Sequence, residues 1–71
     1  MRYLVVLEKS TTGFGAYVPD LPGCVAVGNS REEVRRLIQE AIELHLDDLK
    51  ESGQPIPPPS TESELIQIDA A

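Results

Sequence analysis

Tyr3–Leu7 is an unbroken run of aromatic and aliphatic residues, free of Gly and Pro, and this pattern predicts a strand. Both of its faces are apolar, with Tyr3, Val5 and Leu7 on one and Leu4 and Val6 on the other. The polar, glycine-ended stretch Lys9–Gly13 follows. Phe14–Val18 then alternates, with Phe14, Ala16 and Val18 on one side and Gly15 and Tyr17 on the other. Two such runs joined by a short loop containing Gly predict an antiparallel hairpin. Pro19-Asp20-Leu21-Pro22-Gly23 stops the second strand. Within it Pro22 presets φ and Gly23 supplies the positive φ of a turn. Cys24–Val27 predicts a third short strand, ended by Gly28-Asn29.

At Ser30 the period changes from two to 3.6. Ser30 and Glu33 form a capping box, and Glu32 and Glu33 suit the positive end of a helix. The helix is expected to run to about Ser52, with Gly53 as its left-handed stop. At about 100° per residue, Val34, Leu37, Ile38, Ala41, Ile42, Leu44, His45, Leu46 and Leu49 share an arc roughly 200° wide. Contact with one sheet face needs about half that width. Together with the two-faced first strand, this excess predicts a second buried surface, hence self-association as a dimer or higher oligomer. Tyr3, Val5, Leu44 and Leu46 are its candidate interface residues. The opposite arc carries Glu40, Glu43, Asp47 and Glu51, an acidic stripe that is either a solvated face or a landing surface for a basic protein. Pro55–Pro59 reads as an extended connector. Leu65–Ile68 reads as a last short strand, able to lie parallel to the first. The order βββαβ predicts an α+β two-layer sandwich.

Composition narrows the function. The 71 residues make one small domain, 1–71. A domain of this size buries only about 60% of its unfolded surface, so association agrees with its length. Twelve acidic against six basic residues give a net charge of −6. That balance argues against direct nucleic-acid binding and suits docking to a basic protein. The single cysteine, Cys24, permits no intrachain disulfide and fits a cytoplasmic location. No apolar run approaches the ~20 residues of a membrane span, and none resembles a signal-peptide core.

Chemistry is sparse. His45 lies on the apolar arc with only Asp48 at metal-ligand spacing, and a metal needs more ligands than that. Nothing in the spacing joins Cys24 to His45 as nucleophile and base. Gly13-Phe14-Gly15 lacks the third glycine and following helix of a dinucleotide loop. The βββαβ order is shared with part of the ribonuclease H architecture, but a two-metal nuclease needs carboxylates converging from strand interiors. Here Glu8 ends a strand, Asp20 sits in a loop and Asp69 is near the last residue. No catalytic residue, metal or cofactor is expected.

Gly13-Phe14-Gly15-Ala16-Tyr17-Val18-Pro19-Asp20-Leu21-Pro22-Gly23-Cys24, then Gly28-Asn29-Ser30-Arg31-Glu32-Glu33, Glu43-Leu44-His45-Leu46 and Gly53-Gln54-Pro55-Ile56-Pro57 together resemble the HicB-like antitoxins of toxin–antitoxin pairs. The resemblance covers roughly residues 2–68. It implies a partial ribonuclease H-like fold without nuclease activity. It also implies a partner resembling HicA, a small basic RNA-cleaving toxin whose catalytic histidine is its own and is not carried onto His45. Many such antitoxins add a C-terminal DNA-binding domain, which is not expected within these residues. Glu40, Glu43, Asp47 and Glu51 are the candidate toxin contacts, with Leu21 at the tip of the Pro19–Cys24 loop as a competing one. The alternative function is a homo-oligomeric assembly or small-ligand module without a toxin.

Overall fold

A computed structural model describes residues 1–69. Its elements are β1 (Val6–Lys9), β2 (Phe14–Tyr17), β3 (Val25–Gly28) and α1 (Arg31–Glu51). The strands form one antiparallel sheet in the order β1-β2-β3, so β1 and β3 are both edges. The fold is α+β, a three-stranded meander followed by one helix.

The register sorts the side chains by face. Val6, Tyr17 and Val25 lie abreast, as do Glu8, Gly15 and Val27, on the side the helix does not cover. Leu7, Ala16 and Ala26 lie abreast on the other side, where α1 packs against β2 and β3. The core is Ala16, Val18, Leu21, Cys24, Val34 and Ile38, with Tyr3, Val5, Leu7, Phe14, Ala41, Ile42 and Leu46 packed around it.

The helix starts as its sequence dictates. Ser30 is the cap, in extended backbone, and its Oγ accepts from the Glu33 N–H at 3.1 Å. Glu33 Oε1 reaches one residue further back than an ideal capping box, accepting from the Asn29 N–H at 2.7 Å. Ser52 caps the other end and Gly53 follows with φ 69°.

One expected element does not form. Leu65–Ile68 pairs with no strand among the described residues, and the sheet they form holds three strands rather than four. The connector explains the difference. The Tyr3 hydroxyl donates to the Pro57 carbonyl, which leads the chain past the beginning of β1. Asp20, in the β2–β3 loop, then takes hold of Ser60 and Thr61. Beyond that clamp residues 62–69 are exposed.

Candidate functional site

The acidic stripe is where the helical period places it. Glu40, Glu43, Asp47 and Glu51 are all exposed. Arg36 approaches Glu40 at 3.7 Å, one turn away, and Gln39 donates to Glu43 at 3.3 Å. Asp47 and Glu51 engage no side chain among the described residues. The stripe is thus a negative ridge opposite the core, tempered only at its first turn.

Leu21 is placed differently from its expected position at a loop tip. It is fully buried. Three backbone bonds fold the loop inward: Leu21 N–H to Val18 C=O at 3.0 Å, Cys24 N–H to Leu21 C=O at 3.0 Å, and Val18 N–H to Cys24 C=O at 3.2 Å. Gly23, with φ 85°, completes the Pro22-Gly23 turn. The turn exposes Pro22 and Gly23 and drives Leu21 into the core, where it seals the end of the sheet. As a partner contact Leu21 is therefore withdrawn.

The candidate association residues divide. Tyr3, Val5 and Leu46 pack on the chain's own core, while Leu44 is 70% exposed. A further unused apolar surface is one the helical wheel does not reveal. It is the open face of the sheet, where Tyr17, Val25 and Val27 are exposed, Val27 to 78%. The signal was present in the alternation Val25-Ala26-Val27, whose small central residue faces the helix and whose valines face outward.

Asp20 organises the connector. Its carboxylate accepts four hydrogen bonds, from the backbone N–H groups of Ser60 and Thr61 (2.9 and 3.0 Å) and from their hydroxyls (3.1 and 2.6 Å). These donors, the Thr61 hydroxyl foremost, hold its carboxyl at about 2, below the ordinary 3.8. The carboxylate is thus spent on structure.

The remaining candidates for chemistry do not converge. Cys24 is buried, and burial pushes its thiol up, away from the reactive thiolate. Among the described residues no three His, Cys, Asp or Glu side chains cluster closely enough to hold a metal ion. A hollow of about 700 Å³ beside the β1–β2 turn reaches the start of α1. At that end the Glu33 N–H is taken by the Ser30 side chain and the Asn29 N–H by the Glu33 carboxylate, and Glu8 and Glu33 among the lining residues disfavour an anion there. No helix among the described residues is long and apolar enough to cross a membrane.

Comparison with known proteins gives this surface a context. Residues 3–70 match the family described as HicB_like antitoxin of bacterial toxin-antitoxin system. The chain is 38% identical over 72 residues to Antitoxin HicB 2 of Photorhabdus laumondii, covering 100% of this chain and 52% of that one. It is 56% identical over 45 residues to a UPF0150 protein of Helicobacter pylori, covering 63% of this chain and 62% of that one. The chain thus spans about half to three fifths of the length of these curated relatives. Its fold is similar to a chain of the solved HicA3 and HicB3 toxin-antitoxin complex, with a TM-score of 0.70 and 33% identity over 83% of this chain and 70% of that one. This chain belongs to the HicB-like antitoxin family.

Proposed function

We propose that this chain binds a small basic HicA-like toxin that cleaves RNA and neutralises it by covering its active surface, with no catalysis of its own. The observation that carries the reading is the joint likeness, in sequence and in fold, to a chain solved within a toxin–antitoxin complex. The surface supports it. A chain of net charge −6 displays Glu40, Glu43, Asp47 and Glu51 on one exposed ridge, and opposite potentials speed encounter and restrict partners. A cytoplasmic setting goes with the reading, because the RNA a toxin cleaves is there.

The test is co-expression with the neighbouring reading frame that encodes a small basic protein. Co-purification of the two, with recovery of growth that the neighbour alone suppresses, is the expected result. A neighbour that is toxic, folded and neither captured nor silenced by this chain overturns the proposal. A second reading, a homo-oligomeric module without a toxin, draws on the exposed apolar residues Val25, Val27, Leu65, Ile66 and Ile68. Self-association is compatible with both readings.

A further inference from the structure

An edge strand with free N–H and C=O groups is a template for another strand. β1 is such an edge, and beside it lies an apolar groove. Val5 and Leu7 from the β1 side and Ile38 and Ile42 from α1 line a hollow of about 360 Å³, with Arg35, Gln39 and Glu43 also lining it. A fourth strand set against β1 on this side would cover the groove. The one segment patterned as that strand, Leu65–Ile68, lies elsewhere, with Leu65 102% and Ile66 and Ile68 each 70% exposed.

Within its own chain the segment does not occupy this groove. Asp20 belongs to the loop joining β2 to β3, at the end of the sheet where β1 begins, and its four hydrogen bonds anchor Ser60 and Thr61 there. Beyond this anchor the side chains of Leu65, Ile66 and Ile68 are exposed rather than seated in the groove. Residues 62–69 reach up to about 26–29 Å if extended, and the molecule is 52 Å long, although its 21-residue helix accounts for only about 31 Å. The segment is therefore an arm projecting from the body.

We infer that Leu65–Ile68 of one copy of this chain adds as a fourth strand to the free edge of β1 in a second copy, closing the groove between β1 and α1. The arm offers alternating side chains, Ile66 and Ile68 on one face and Leu65 and Gln67 on the other. Ile66 and Ile68 enter the groove against Val5, Leu7, Ile38 and Ile42, and backbone pairing supplies the edge's missing bonds. Each copy has one arm and one groove, so reciprocal exchange closes a symmetric pair and leaves no groove over.

The test needs no toxin, so its failure is distinct from failure of the proposed function. Light scattering of the 71-residue chain at micromolar concentration should give a two-chain mass. Ile66→Asp with Ile68→Asp should lower it to one chain that still folds, because both side chains are exposed in the single copy, with a melting temperature that no longer rises with protein concentration. For placement, Glu8→Cys is introduced in a tagged chain and Gln67→Cys in an untagged one. A short bis-maleimide should join the unlike chains, and the Ile66→Asp/Ile68→Asp changes should abolish the product. Cys24 is buried and stays out of the reaction. A single-chain mass for the unaltered protein overturns the inference. So does a two-chain mass that survives the arm changes, or linkage of Glu8→Cys to Gln67→Cys within one chain.

Discussion

Asp20 and Leu21 are neighbours with opposite assignments, and each makes a prediction. The Asp20 carboxyl is held at about 2 against an ordinary 3.8. A lowered acid binds its partners fully above the ordinary value and releases them as the pH falls through the lowered one. The clamp on Ser60 and Thr61 is therefore expected to be intact at neutral pH and to loosen between about pH 4 and about pH 2. The Thr61 amide resonance should report that titration, and a midpoint at the ordinary value would mean the clamp is not formed. Asp20→Ala should free the Thr61 amide to exchange with solvent at any pH. Leu21→Ala removes a fully buried side chain and should cost about 2–5 kcal/mol. Leu44→Ala, at an exposed position, should stay within about 0.5 kcal/mol. Chemical denaturation separates the two, and equal effects would contradict the burial. The Pro22-Gly23 turn was legible in the sequence because φ preferences are local. The burial of Leu21 was not, because a loop rich in Pro, Asp and Gly reads as exposed. What decides its direction is the set of bonds from Val18, Leu21 and Cys24 within the loop. Asp20's partners lie 40 and 41 residues away, a pairing that no local pattern encodes.

Among the elements, α1 was the most legible. Its cap, apolar arc and glycine stop are all short-range signals, and the observed Arg31–Glu51 follows them. Ser30→Ala removes the acceptor for the Glu33 N–H and should cost about 1 kcal/mol, read as a lower melting temperature. An unchanged melt would mean that solvent replaces the cap without loss. The strands were legible in existence and order, but β1 is displaced toward its hairpin, Val6–Lys9 rather than Tyr3–Leu7. Hydrophobicity marks the residues that pack, and ladder bonds mark the residues that pair. Tyr3 and Val5 do the first ahead of the second, sitting on the core before the pairing begins. Gly13 serves the hairpin by close approach. A Cβ there would collide with the carbonyl oxygen of Gly28, backbone against backbone, so this corner tolerates only glycine without a shift. The fourth strand was misjudged for a different reason. Leu65–Ile68 has the composition of a strand, but a strand exists only with a neighbour, and among the described residues it pairs with none.

For the whole molecule, the negative ridge of the helix and the open face of the sheet are distinct surfaces, and this separates two routes to association. The negative ridge of Glu40, Glu43, Asp47 and Glu51 lies on the helix face opposite the core, while Tyr17, Val25 and Val27 lie on the open face of the sheet. A basic partner steered by the ridge should associate faster at low salt. That advantage should fade as the screening length shortens from about 30 Å at 0.01 M to about 8 Å at 0.15 M. Single alanine changes on such a surface are poor probes, since exposed pairs are worth only about 0–1 kcal/mol. Reversal adds repulsion as well as removing attraction. Glu43→Lys with Asp47→Lys is therefore expected to slow toxin association strongly, to flatten its salt dependence and to weaken growth rescue. The fold should survive, because both side chains are exposed and the one bond lost is the surface contact from Gln39. Leu21→Asp cannot serve as the contrasting variant, because it would place a charge in the core. Val25→Asp with Val27→Asp serves instead, altering an exposed apolar face without touching the ridge. If reversal on the ridge leaves association rate and rescue unchanged while the sheet-face pair abolishes both, the ridge is a solvated surface and the toxin is met by the open sheet. If the ridge variant alone fails, and fails least at high salt, the ridge is the docking surface, with its first turn tempered by Arg36 and its charge concentrated at Asp47 and Glu51.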